Sequence, residues 1–164
     1  MTFNYLILVL AALIPMVMGF LWYNPKTLGT IWMKESGMTE EKMKGSNMVL
    51  IFGLSFVFAV LLAVEMNFIV IHMNHMYSVF FHELDAGNEE IKELIATIER
   101  LGAANHRTFG HGAFHGVVAG FFFALPILAT NALFERKSFK YIAVNGGYWI
   151  ITIALMGGVI CQWG

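Results

Sequence analysis

Four stretches of this chain are apolar for about 20 residues, the length that an α-helix needs to cross the hydrocarbon core of a membrane. They cover residues 5–23, 48–73, 110–134 and 141–163. None alternates between apolar and polar residues as a strand of a transmembrane barrel does, so helices are favoured. Charged residues make up only 13 % of the chain, about half the share in a soluble domain. The sequence therefore predicts an all-α membrane protein, with residues 1–164 forming a single domain of four transmembrane helices.

The segment between the second and third stretches interrupts the apolar pattern. Asn88 is suited to cap a helix whose first turn carries two glutamates. Apolar residues then recur at the spacing of one helical face, at Ile91, Leu94, Ile95, Ile98 and Leu101. Gly102 follows the last of them and is a typical stop signal. These features predict a short amphipathic helix over residues 89–101, outside the membrane or on its surface.

The basic residues are distributed unevenly among the loops. Seven of the ten Lys and Arg residues lie between the first and second stretches or between the third and fourth. Because cytoplasmic loops are enriched in Lys and Arg, these two loops are expected in the cytoplasm and both termini outside. The formal net charge of -1 argues against nucleic acid as a partner, since binding its phosphates requires a basic surface.

Small residues and prolines indicate how the helices pack. Helices in lipid associate where small residues allow two backbones to approach closely. The third stretch carries such residues four apart, at Gly112, Gly116 and Gly120. This stripe fits either a neighbouring helix of the same chain or a second copy of it. Pro15 and Pro126 lie inside the first and third stretches, where a proline removes one backbone hydrogen bond and permits a kink.

Two parts of the sequence carry a family resemblance. The first part runs from Trp22-Tyr23-Asn24-Pro25 to Phe52-Gly53-Leu54-Ser55. The second runs from Leu133-Phe134-Glu135-Arg136 through Gly147-Tyr148-Trp149 to Met156-Gly157. In these residues the chain resembles the uncharacterised bacterial four-helix membrane family DUF1761. The resemblance implies a four-helix fold in the cytoplasmic (inner) membrane of a bacterium. It implies no activity, because the family has none assigned.

All six histidines lie between residues 72 and 115, around the middle segment. His111 and His115 are four residues apart and share a helical face, and His72 and His75, three apart, are expected to do the same. Imidazole nitrogens bind Zn, Fe, Ni and Cu, and a carboxylate can complete the shell. The candidate ligands of a divalent transition metal are therefore His72, His75, His111, His115, Glu83 and Asp85. The alternatives are interfacial histidines bonded to backbone or water, or a proton-sensing cluster, since histidine titrates near neutral pH.

Glu65 is an ionisable residue within the second apolar stretch. A carboxylate in the apolar zone costs free energy unless it is paired, protonated or hydrated, and such residues often mark ion or proton paths. His72 follows seven residues later, nearly two helical turns, so the two side chains are expected to point the same way. Glu65 and His72 are therefore candidates for an ion or proton path. The alternative is a neutral Glu65 bonded to a neighbouring helix.

The sequence contains no named catalytic motif, so no catalytic residue is assigned and an enzymatic activity is not favoured. The glycine stripe, the prolines and Glu65 favour a small channel or transporter for ions or small molecules. Four helices are few to enclose a path, so this function requires a homo-oligomer in the lipid bilayer. One alternative is an accessory or scaffold subunit of a larger membrane complex. The other is a metal-binding membrane protein that uses the histidines.

Overall fold

The computed structural model describes residues 3–103 and 105–164, and this part of the chain is helical. In chain order the helices are α1 (Tyr5–Trp22), α2 (Gly29–Ser36), α3 (Glu40–Lys44), α4 (Met48–Val70), α5 (Met73–Val79), α6 (Phe81–Asp85), α7 (Glu89–Ile98), α8 (Phe109–Phe134) and α9 (Phe139–Trp163). Four of them, α1, α4, α8 and α9, are long and apolar enough to cross a membrane. The predicted fold class, an all-α bundle with four such helices and a short amphipathic helix between the second and third, is confirmed.

Helices α8 and α9 begin slightly earlier than the apolar stretches suggest, because each has a polar cap. The hydroxyl of Thr108 accepts a hydrogen bond from the backbone N–H of His111 at 3.2 Å. The hydroxyl of Ser138 accepts one from the N–H of Tyr141 at 3.1 Å. Each cap satisfies a backbone donor that the first turn would otherwise leave unpaired. The helices therefore start at the residue after the cap, Phe109 and Phe139.

Helix α4 ends earlier than predicted, at Val70 instead of residue 73. Ile71 has φ -102° and ψ 89°, which lies outside the helical region. His72 therefore does not continue α4 but stands directly before α5. The expectation that Glu65 and His72 share a helical face is wrong, because it requires an unbroken helix between them.

The amphipathic helix α7 forms where the apolar spacing predicts it. The side-chain oxygen of Asn88 accepts hydrogen bonds from the N–H groups of Glu90 and Ile91, at 3.0 and 3.4 Å. The helix ends at Ile98 and a π-helical turn, Glu99–Ala103, follows it. Within that turn Gly102 has φ 100°, a left-handed conformation that a residue without a Cβ adopts readily. The chain changes direction there and leads into α8.

Helix α9 is the centre of the bundle, because α1, α4 and α8 all pack against it. It contributes more buried residues than any other described helix, among them Thr152, Met156, Ile160 and Cys161. Met66 and Val70 of α4 and Leu8 of α1 belong to the same core cluster. The outer faces of α1, α4 and α8 carry exposed Phe, Leu, Val and Ile side chains, as expected of surfaces in contact with lipid.

Helices α8 and α9 approach each other closely along the predicted glycine stripe. A Cβ atom added to Gly112 would lie 2.2 Å from the carbonyl oxygen of Gly157, and one added to Gly116 would lie 2.4 Å from that of Ile153. A Cβ on Gly120 would lie 2.7 Å from the Cα of Ile150. The stripe thus packs against a helix of the same chain, and it is not free to contact a second copy.

The two prolines inside α1 and α8 have different surroundings. Pro15 is buried, and its carbonyl oxygen accepts a hydrogen bond from the Tyr148 hydroxyl at 2.9 Å. Pro126 is exposed and follows a π-helical stretch, Gly120–Ala124, within α8. A proline cannot donate to the preceding turn and crowds it, and the wider π-helical turn gives it room. Pro15 therefore contributes to packing inside the bundle, whereas Pro126 does not.

Side-chain contacts define two ends of the bundle. At the histidine end, which comprises residues 3–4, 71–103, 105–115 and 162–164, the Asn4 side chain donates a hydrogen bond to the carbonyl oxygen of Trp163 at 3.1 Å. At the lysine end, which comprises residues 23–47 and 135–140, the Lys137 ammonium donates to the carbonyl oxygen of Ser36 at 2.9 Å. The two lysine-rich loops thus meet at one end, and the histidines lie at the other.

Candidate metal centre

Three histidines converge at the histidine end of the bundle. The Nε2 atom of His111 lies 2.9 Å from Nε2 of His72 and 3.1 Å from Nε2 of His115. One potential ligand atom from each ring lies within 4.8 Å of the other two. His72 is exposed and the other two are half-buried, so the cluster can be reached from the end of the bundle. These residues are called the three-histidine cluster below.

Two separate elements bring these rings together. His111 and His115 lie one turn apart in the first part of α8, whose start is fixed by the Thr108 cap. His72 is held by the break after α4, where Ile71 is 5 % exposed and belongs to the core. Asn74, two residues beyond His72, is also buried, and its amide nitrogen lies 3.5 Å from two oxygens of Asn67. Buried residues on both sides therefore fix the position of His72.

The hydrogen-bonding capacity of imidazole limits what the cluster can do by itself. A neutral ring nitrogen carries either one proton or one lone pair, yet Nε2 of His111 has two ring nitrogens within 3.1 Å. This nitrogen can form a full hydrogen bond with one of the two neighbouring nitrogens but not with both. A cation placed among the rings accepts a lone pair from each of the three. With metal–nitrogen bonds of about 2.0–2.1 Å, tetrahedral ligand nitrogens lie about 3.3 Å apart, close to the spacing seen here.

The surroundings of the cluster disfavour positive charge on His72. Desolvation by the protein lowers the pKa of His72 below its usual value, and the neighbouring rings of His115 and His111 lower the pKa further. The imidazole of His72 is therefore neutral at pH 7, and a neutral imidazole has a lone pair for a metal.

The cluster is smaller than the ligand set predicted from the sequence. His75, Glu83 and Asp85 are all exposed, and within residues 3–103 and 105–164 none of them joins the group of converging ligand atoms. His75 belongs to α5, which begins after His72. Glu83 and Asp85 lie on the separate helix α6. The structure therefore assembles a site of three imidazoles without a carboxylate.

Two residues beside the cluster have no counterpart among the predicted ligands. The ring of His106 stacks on that of His111, with centroids 5.5 Å apart and planes at 29°. The Arg107 side chain donates from Nε to the carbonyl oxygen of Cys161 at 3.2 Å and from its terminal nitrogen to that of Gly164. These contacts fasten the chain before α8 to the end of α9. The sequence gives no signal for the contacts of Arg107, because it lies 54 and 57 positions from its partners Cys161 and Gly164.

Glu65 lies apart from the cluster, on the outer face of α4, where it is exposed. Ala63 and Met66, on the opposite face of the helix, are buried in the core. The carboxylate therefore points away from the bundle toward the surroundings of the chain. It does not line a path between the helices of one chain.

Comparison with known proteins identifies a family for this chain. A family model described as "Protein of unknown function (DUF1761)" matches residues 6–161. No curated protein and no solved structure matches the chain.

Proposed function

We propose that this chain, which belongs to the DUF1761 family, is a membrane protein that binds a divalent transition metal through His72, His111 and His115. The family is described as having no known function, so the proposal depends on the geometry of this chain. The observation that carries it is the convergence of three imidazole nitrogens within 4.8 Å. Two of these residues come from α8 and the third from a segment 39 residues away, so local sequence alone does not account for their meeting.

The donor set indicates which metals fit and what the site can do. Imidazole suits Zn, Cu, Fe and Ni, whereas Mg and Ca prefer oxygen ligands. Structural zinc sites have four protein ligands, whereas catalytic ones have three and leave a position for water or substrate. The three-histidine cluster provides three ligands, and the exposure of His72 leaves the fourth direction open to the aqueous phase. The site therefore suits metal-dependent chemistry or metal exchange at the membrane surface.

Metal analysis of the purified protein tests the proposal. The protein is purified in mild detergent with an affinity tag that contains no histidine. We expect about one Zn, Fe, Ni or Cu ion per chain and a lower melting temperature after chelation. A ligand at 100 times its Kd adds about 2.7 kcal/mol of stability, and about 2–4 °C accompanies each kcal/mol. Restoring the metal should therefore raise the melting temperature by about 5–10 °C. The proposal would be overturned if the purified protein contained no metal and its melting temperature changed neither with chelator nor with added metal.

The position of Glu65 favours a second candidate function, transport of ions by a homo-oligomer. An ionised carboxylate that faces lipid is costly, so an exposed Glu65 on a membrane-crossing helix favours a protein or water-filled surface there. A second copy of the chain packed on this face of α4 would provide one. The path would then run between chains and not within one.

Proton flux into proteoliposomes tests the transport function. We expect the wild-type protein to conduct protons under an imposed potential, and Glu65→Gln to reduce the flux to that of empty liposomes, because an amide cannot exchange a proton. Glu93→Gln, on the exposed face of α7, removes the same charge away from the membrane and should leave the flux unchanged. Equal flux in wild-type and empty liposomes, or full flux in Glu65→Gln, would exclude the path. Foreign subunits that co-purify in mild detergent would instead favour the accessory role predicted as an alternative.

A further inference from the structure

A groove lies at the lysine end, between helix α2 and the first turns of α9. Its volume is about 350 Å³. It is lined by Ile31, Lys34, Glu35, Lys140, Ala143 and Val144. The two helices that form it meet through contacts of their own, since α2 packs against α9. The groove is therefore part of the fold and far from the three-histidine cluster at the opposite end.

The lining combines an apolar floor with two positive charges. Ile31, Ala143 and Val144 provide the apolar surface, and the ammonium groups belong to Lys34 and Lys140. The one acidic side chain in the lining, Glu35, accepts a hydrogen bond from the Ser138 hydroxyl at 2.5 Å and keeps its negative charge, so the two lysines leave the lining with a net positive charge. Lysine side chains extend over apolar surface while keeping the ammonium in water. The groove thus offers a positive rim above a hydrophobic floor.

Aromatic residues beside the groove are typical of the level where a membrane meets water. The indole N–H of Trp22 donates to the carbonyl oxygen of Val144, a lining residue, at 3.0 Å. The rings of Tyr23 and Trp32 pack against each other with centroids 5.3 Å apart and planes tilted by 60°. Trp and Tyr are enriched at the headgroup level of membranes. A ligand in the groove would therefore have one part in the headgroup region and another in the hydrocarbon.

We propose that this groove binds an anionic phospholipid, with its phosphate between Lys34 and Lys140 and an acyl chain over the apolar floor. The charge of the rim selects an anionic headgroup over a zwitterionic one. A free phosphate ion satisfies the two ammonium groups but leaves the apolar floor bare, which is why a lipid fits the whole groove better. The site is independent of the metal proposed above, and either can fail without the other.

The test is titration of the purified full-length chain in detergent with phosphatidylglycerol, phosphatidylcholine and inorganic phosphate, followed by native mass spectrometry. We expect phosphatidylglycerol to bind, and Lys34→Gln/Lys140→Gln to weaken this binding about 30-fold, because each lysine contributes about 1 kcal/mol and about 1.4 kcal/mol is tenfold. The control, Lys26→Gln/Lys44→Gln, removes the same charge from the same end at two exposed positions outside the groove. It should bind like the wild type.

A second variant tests the apolar floor. Ala143 is exposed in the groove, so Ala143→Trp should fill part of its volume without disturbing the core. We expect an unchanged melting temperature without lipid and at least tenfold weaker binding of phosphatidylglycerol. The proposal is overturned if phosphatidylcholine binds as well as phosphatidylglycerol, or if both lysine pairs have the same effect. It is also overturned if inorganic phosphate binds as tightly as the lipid and Ala143→Trp has no effect, which would identify an ion site.

Discussion

Replacing His111 with alanine should lower the affinity for a divalent transition metal by at least about 100-fold. His111 is the central member of the three-histidine cluster, with Nε2 atoms of His72 and His115 at 2.9 and 3.1 Å. Loss of a residue that only hydrogen-bonds to a metal ligand already lowers metal affinity about 10–100-fold. Loss of a direct ligand should therefore lower the affinity further. The fold should survive, because the Thr108 cap uses the backbone N–H of residue 111, which alanine retains. Competition with a coloured chelator in detergent measures the affinity.

The matched control for this variant is His75→Ala. It removes the same side chain from the same end of the bundle, three residues from His72, but at an exposed position outside the converging group. Its metal affinity should stay within twofold of wild type. Equal losses in the two variants would support the wider ligand set predicted from the sequence. No loss in either would mean that the cluster does not bind metal.

Replacing Gly116 with alanine should destabilise the bundle by about 2–3 kcal/mol, the cost of overpacking a well-packed interface. The new Cβ would lie 2.4 Å from the carbonyl oxygen of Ile153 and 2.5 Å from the Cα of Ala154. Both are backbone atoms and cannot rotate away, so α8 and α9 must separate. Because His115 directly precedes Gly116, this movement should also weaken metal binding. Thermal unfolding in detergent, followed by tryptophan fluorescence, measures the loss.

Gly110→Ala is the control for Gly116→Ala. Gly110 belongs to the same helix, and a Cβ atom there would have nothing within 4 Å. Alanine is the better helix former, so this variant should be as stable as the wild type or slightly more stable. If Gly116→Ala unfolds at the same temperature as Gly110→Ala, the close contact between α8 and α9 does not exist in the folded protein.

The four long helices could be predicted because their signal is local. Length and apolarity alone decide whether a segment can cross a bilayer, and the caps at Thr108 and Ser138 shift the boundaries by only one or two residues. The end of α4 could not be predicted in the same way. The sequence remains apolar through Ile71 and offers neither glycine nor proline at the break. Ile71 leaves the helical conformation and packs into the core, a tertiary contact that the local sequence does not reveal.

The candidate site was predictable only in part, because local spacing can be read from the sequence and tertiary packing cannot. His111 and His115 share a face because four residues make about one turn, and this holds whatever the rest of the chain does. The third ring depends on how α4 and α8 pack and on the direction of the chain after residue 70. Spacing favours His72 and His75 equally, whereas the structure selects His72 alone. The partner of the glycine stripe is likewise a tertiary property, since a small-residue face suits any close neighbour.

The position of α9 in the chain has a consequence for biosynthesis. A ribosome delivers the N-terminal helices first, so α1, α4 and α8 are made before the helix against which all three pack. In the proposed membrane protein, the faces that will contact α9, including the glycine-rich face of α8, therefore lack their partner until α9 is inserted. Translation arrested before residue 139 would leave three inserted helices without their common partner. The mature bundle can therefore form only after Trp163 has been synthesised.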